Sequence, residues 1–99
     1  MEKQRFIDKI ALVTGGANGL GRGMTEQLVR EGAQVIVFDI EDDTMEEVYA
    51  DNERVYCMHC DVRDYGQVQE SVAKVIEEFG HIDVLMNNAG ITHRQPFLE

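Results

Sequence analysis

The sequence predicts an α/β protein on a parallel sheet, in the order β-α-β-α-β-α-β, and three observations carry that prediction. Four short apolar runs occur along the 99 residues, each continuous rather than alternating. Stretches with apolar residues at three- and four-residue spacing separate them. Glycine or aspartate punctuates the joins. Strands that are apolar throughout are buried on both faces, the situation of parallel strands covered by crossover helices.

Each element follows in turn. "KIALVT" (9–14) is a short branched apolar run bounded by glycine and reads as a buried strand. Leu20, Met24 and Leu28 repeat every four residues, a helix stripe that ends at Gly32 as a C-terminal cap. "AQVIVFD" (33–39) is the second strand. In the acidic stretch that follows, Met45 and Val48 form a thin stripe, which predicts a short helix. "RVYCMHC" (54–60) is the third strand, and Asp64 is a suitable N-cap for the next helix. Val68, Val72, Val75, Ile76 and Phe79 mark that helix's inner face and Gly80 ends it; "IDVLMNN" (82–88) is the fourth strand.

Right-handed crossovers wind such a chain outward from strand one and give the strand order 3-2-1-4. This is half of a Rossmann-type doubly wound parallel sheet, ending just past its topological switch point. Residues 1–99 read as one truncated dinucleotide-binding domain, without linkers, repeats or low-complexity segments.

Composition narrows the function. With 43% apolar and 28% charged residues the chain has ordinary globular composition. The net charge of −10 argues against nucleic acid, whose binders need a cationic surface. Seven acids lie in "EDDTMEEVYADNE" (41–53), but the calcium-loop spacing is missing, so they read as a solvated helix face. Neither a membrane-spanning apolar run nor a leader pattern is seen, so a cytoplasmic location is expected. Cys57 and Cys60 form a lone C-x-x-C without a second ligand pair, and residues three apart in a strand point to opposite faces. No metal site is expected.

"TGGANGLG" (14–21) holds four glycines in eight positions between strand one and helix one, at the carboxyl edge of the sheet. Glycine there permits a tight turn and lets backbone N–H groups approach a diphosphate at the positive end of the helix. No Gly-Lys-Ser/Thr follows, so the loop is not a P-loop.

Thr14-Gly15-x-x-x-Gly19-x-Gly21, "NNAG" at 87–90, Asp39 closing strand two and "CDV" at 60–62 together resemble the short-chain dehydrogenase/reductase family in its classical subdivision. Its extended subdivision (epimerases and dehydratases) would need glycine at 18, where Asn18 stands. The resemblance covers essentially the whole chain. It implies that Gly15, Asn18, Gly19, Leu20 and Gly21 line the diphosphate, that Asp61 and Val62 flank the adenine, and that Asn88, Ala89 and Gly90 run beside the adenosine ribose. Asn87 would also steady the central strand. Asp39 is expected to accept hydrogen bonds from both ribose hydroxyls and to repel a 2′-phosphate. No Lys or Arg at 16–18 or 40 offsets it, so NAD is favoured over NADP; Arg22 is the one basic group in the first helix turn.

The family's chemistry depends on a tyrosine with a lysine four residues later, a serine and an asparagine. Tyr-x-x-x-Lys is absent: Tyr49, Tyr56 and Tyr65 are followed at four by Glu53, Cys60 and Gln69. The chain is therefore expected to carry no catalytic residue and to be the cofactor-binding half of an alcohol or keto oxidoreductase. His59 and His81 read as structural, and His93 beside Arg94 as a surface loop near the substrate side. "GITHRQPF" also resembles the family's sugar-acid and polyol dehydrogenases. The competing reading is a stand-alone, non-catalytic NAD-binding or assembly module. In either case strand four is expected to present an open edge through which the chain self-associates.

Overall fold

The computed structural model describes residues 4–88. In chain order these form β1 (Ile10–Thr14), α1 (Gly19–Arg30), β2 (Gln34–Asp39), α2 (Asp42–Tyr49), β3 (Val55–His59), α3 (Tyr65–Phe79) and β4 (Val84–Asn87). The sheet order is β3-β2-β1-β4 and every pair is parallel. The alternation and winding expected from the sequence are therefore the observed ones.

Burial explains the continuous apolar runs. One face of the sheet presents Ala11, Val13, Val35 and Val37 to Leu28 of α1 and to Met45 and Tyr49 of α2. The other presents Leu12, Ile36 and Phe38 to Val68 and Val75 of α3. β1 and β2, between their neighbours, have no exposed apolar side chain. β4 alternates between half-buried and exposed positions, and β3 exposes Tyr56 and His59, because each is an outer strand of the described sheet. Cys57 packs on the first face and Cys60 on the second, as strand alternation requires, and burial pushes both thiols up.

Two helix stripes differ from expectation. The buried residues of α1 are Gly21, Thr25 and Leu28, while Leu20 is 67% exposed. The face is set by backbone contact at Gly21, described below, so the first two positions of the stripe fall one residue later than the apolar residues suggest, while Leu28 keeps its place. On α3 the inner face carries Val68, Ser71 and Val75, with Val72 and Phe79 beside them, and Ile76 points outward. Ser71 takes an inner position that hydropathy alone assigns to a larger residue. The predicted ends hold: the Asp64 carboxylate accepts the Gln67 N–H at 3.2 Å, and Gly32 and Gly80 follow α1 and α3 with φ of +96° and +91°.

The N-terminal segment is strapped to the end of α1. The Glu31 side chain is nearly inaccessible and accepts two bonds from the Arg5 guanidinium and one from Gln27 Nε2 at 2.7 Å. Phe6 N–H and Gln4 Nε2 donate to the carbonyls of Glu31 and Arg30. The hydrogen bonds from Arg5 and Gln27 hold the Glu31 carboxyl down at about 2. Its folded value is thus depressed below the ordinary ~4.3 of an unfolded glutamate. The stability linked to it is present above that unfolded value and is lost as pH falls through the folded value. Asp61 and Asp83 are also lowered, so acid unfolding has several contributors. Melting curves between pH 6 and pH 2 should show the wild type converging on Glu31→Gln as the pH falls; parallel curves would remove Glu31 from the account.

Candidate functional site

The site is built at the carboxyl edge of the sheet, where β1 turns into α1. Gly21 makes the turn possible. A Cβ there would lie 2.1 Å from the Gly15 carbonyl oxygen, so helix and strand meet backbone to backbone. Thr25, one turn on, donates its hydroxyl to the Gly21 carbonyl at 2.9 Å. Gly19 has φ of +54°, a left-handed backbone suited to glycine, but open space around its Cβ position.

Separate elements hold the loop residues. Gly15 N–H donates to the Phe38 carbonyl at 2.8 Å, and Asn88 Nδ2 donates to the Gly15 carbonyl at 3.3 Å. The Tyr49 hydroxyl donates to the Gly16 carbonyl at 2.5 Å. Ala17 N–H donates to Asp39 Oδ2 at 3.1 Å. Asn18 Nδ2 reaches Glu41 Oε2 at 2.7 Å, closing the loop against the start of α2.

These bonds leave the head of α1 open. Asn18 occupies the N-cap position, yet its side chain makes no capping bond, and the first turn carries no acid. First-turn amides without a cap, at the positive end of the helix dipole, suit an anion. Arg22 on the same turn is paired with Glu26 at 3.3 Å on the exposed side.

Asp39 ends β2 with one carboxylate oxygen on Ala17 N–H and the other on Glu41 N–H at 3.0 Å. Each oxygen has a further lone pair, so the group can still accept from a diol. Beside it His59, its register partner, pairs with Asp42 at 2.7 Å, and His81, between α3 and β4, pairs with Asp83 at 2.9 Å. Asp61 lies past the end of β3, its carboxylate bridged bidentately by Arg63 at 3.0 Å and held below the ordinary range by that hydrogen bonding. Val62 packs against the α3-side core.

At β4 the Thr14 hydroxyl donates to Asn87 Oδ1 at 3.0 Å and accepts Asn88 N–H at 2.9 Å, so Asn87 is tied to the central strand. Gly15, Asn18, Gly19, Leu20, Gly21, Asp39 and Asn88 thus converge on one loop. Asp61 and Val62 stand further along the same edge, with contacts that run to Arg63, Gln67 and the core. Ala89, Gly90, His93 and Arg94 lie outside the described residues. Tyr49 and Glu41 were not anticipated. Tyr49 follows Met45 by four residues, so its burial was legible, but its hydroxyl partner was not. Among the described residues no three His, Cys, Asp or Glu side chains are grouped to hold a metal ion, and no helix is long and apolar enough to cross a membrane.

Residues 9–99 match the short chain dehydrogenase family. The chain belongs to that family. It is 38% identical over 98 residues to oxidoreductase UcpA of Salmonella typhimurium, covering 96% of this chain and 37% of that protein. To L-2,3-butanediol dehydrogenase of Corynebacterium glutamicum it is 34% identical, covering 94% of this chain and 38% of the relative. The 3-ketoacyl-(acyl-carrier-protein) reductase from Brucella melitensis complexed with NADH superposes with a TM-score of 0.80 at 31% identity, covering 87% of this chain and 36% of that one. The chain therefore spans little more than a third of the length of the relatives it matches.

The two helix-head glycines should respond differently to substitution. Gly19→Ala costs the left-handed strain of about 1–2 kcal/mol. Gly21→Ala must push helix from strand and should cost about 3 kcal/mol or more, the upper end for overpacking. Urea denaturation of both variants tests this, and equal costs would rule out the backbone contact as the constraint.

Proposed function

We propose that this chain is the NAD-binding part of an NAD(P)-dependent short-chain oxidoreductase acting on an alcohol or ketone, sugar-acid and polyol substrates among them. The observation that carries the reading is Asp39, fixed at the end of β2 by two backbone amides with acceptor capacity left over. NAD, when bound, supplies the hydride acceptor; the chain's residues bind and orient it. In this reading the first-turn amides from Gly19 to Gly21, with Gly15, Asn18 and the exposed Leu20, line the diphosphate. Asp39 accepts from the ribose hydroxyls. Asp61 and Val62 flank the adenine, and Asn88, Ala89 and Gly90 run beside the adenosine ribose.

Proton transfer has no agent here, because no tyrosine in the sequence is followed by a lysine at four. The 99 residues alone are therefore proposed to turn over no substrate. The same fact favours a second reading, a non-catalytic module that binds NAD or assembles with a partner. β4 pairs only with β1 among the described residues, and its outer edge is the surface we infer for association, with a longer chain's next strand or with a second copy. A cytoplasmic location belongs to the same reading.

Cofactor preference decides the reading. A 2′-phosphate beside Asp39 meets repulsion of about 1 kcal/mol at 4 Å in water and about 4 kcal/mol in a partly shielded site. NADPH should therefore bind this chain about fivefold or more weakly than NADH, and Asp39→Asn should narrow the gap. Titration followed by nicotinamide fluorescence measures both. Equal affinity for the two cofactors would sink the preference for NAD, and binding of neither would sink the assignment.

A further inference from the structure

The peptide unit joining Gly16 to Ala17 is gripped at both ends. Its carbonyl accepts the Tyr49 hydroxyl, and its N–H donates to Asp39. A peptide unit is planar and turns as a whole, so its carbonyl and its N–H cannot reorient separately. A flip that freed the carbonyl would also withdraw the N–H from the Asp39 carboxylate. Tyr49 therefore bears on Asp39 through one rigid plane, although the two side chains come from different elements.

We propose that Tyr49 is a positioning residue for the dinucleotide, acting by holding this peptide plane so that Asp39 faces the ribose and the following amides face the diphosphate. The inference rests on the NAD reading above and extends it to a residue that touches no cofactor. The chemistry suits the role. Tyr49 is 5% exposed at the end of α2. Burial pushes its phenol up, so it remains a donor at neutral pH. The loop is pressed against β2, where a Cβ on Gly16 would stand 2.7 Å from Val37 Cγ1 and 3.2 Å from Thr25 Oγ1. A carbonyl in that position loses a partner it cannot readily replace if the hydroxyl is removed.

Tyr49→Phe keeps the ring and deletes the bond. In the full chain it should weaken NADH binding about five- to tenfold, the equivalent of one buried hydrogen bond. It should also move the NADH-to-NADPH affinity ratio toward one, because Asp39 loses one of its two amide anchors and keeps only the Glu41 N–H. Val48→Ala, on the same helix and packed against the same core, should lower the melting temperature while leaving affinity and ratio unchanged. Unaltered affinity and ratio in Tyr49→Phe would overturn the proposal. So would a loss that tracks stability in both variants at constant ratio, since that is packing alone. A wild type that binds neither dinucleotide would defeat the NAD reading instead. The grip itself is read by NMR on the wild type: a slowly exchanging Tyr49 hydroxyl proton and a protected Ala17 amide are expected, and rapid exchange at both would overturn it without any variant having to fold.

Discussion

The arrangement depends on a contact between two stretches of backbone. α1 begins where it does because Gly21 lies against the Gly15 carbonyl, at a separation that excludes a Cβ. No side chain mediates this approach, so its geometry is set by the peptide groups themselves. Once it is made, the head of α1 is held at the carboxyl edge of β1 with its amides turned outward. The loop has little freedom left. Its peptide groups are then taken by β2 through two bonds, by α2 through one and by Asn88 at the end of β4 through one. A loop rich in glycine is flexible as a free chain; here it is rigid because partners from three elements converge on it.

A chain of net charge −10 that offers an anion site needs its charges placed with care. The acids of α2 lie mainly on its exposed face, and the first turn of α1 has none. At physiological salt the screening length is about 8 Å, so exposed carboxylates beyond that distance act weakly on the helix head. Net charge therefore governs solubility while local dipoles govern the site. Three carboxylates stand at the edge itself, Glu41 on Asn18, Asp61 under Arg63, and Asp39, which is the one held by two backbone amides. Its two amide donors stabilise the charge and fix its direction, which suits selection between a diol and a phosphate.

The fold was legible because the strands are apolar throughout and glycine or aspartate marks the joins. Periodicity and parallel pairing then leave few ways to wind the sheet. Legibility weakened where packing was decided by something smaller than an apolar side chain. Leu20 appeared to head the buried stripe of α1, but the contact at Gly21 turns it outward. Ile76 had the hydropathy of a core residue and Ser71 did not, yet helix geometry placed Ser71 inside. At the site, Gly15, Gly21, Asp39 and Asn88 are named through the resemblance to the short-chain dehydrogenase family, and hydrogen bonds and backbone contact bring them to one loop. On α2 the sequence stripe is Met45 and Val48, and Tyr49, four residues after Met45, is buried beside them. Its hydrogen bond spans 33 residues and depends on how α2 crosses the sheet, which no local pattern encodes.

β4 shows how a strand with one described neighbour can still align a site residue. Its start is tied to β1 by the Asp83 carboxylate, which accepts the Ile10 N–H at 2.8 Å. This bond is the principal reason that the Asp83 carboxyl is lowered. Its far end is tied by the Thr14 hydroxyl, which engages Asn87 and Asn88 together. Between these ties Ala11 through Thr14 pair with Val84 through Asn87 in register. A slip of one residue would exchange the strand's two faces and break both ties. The register is therefore specified at both ends as well as by the ladder, and that specification delivers Asn88 to the Gly15 carbonyl. The same side chain also lies 3.0 Å from the Cβ position of Gly21. The glycine contact that starts α1 and the strand that closes the site thus meet within one side chain's reach, which makes the loop's geometry a property of the whole sheet edge.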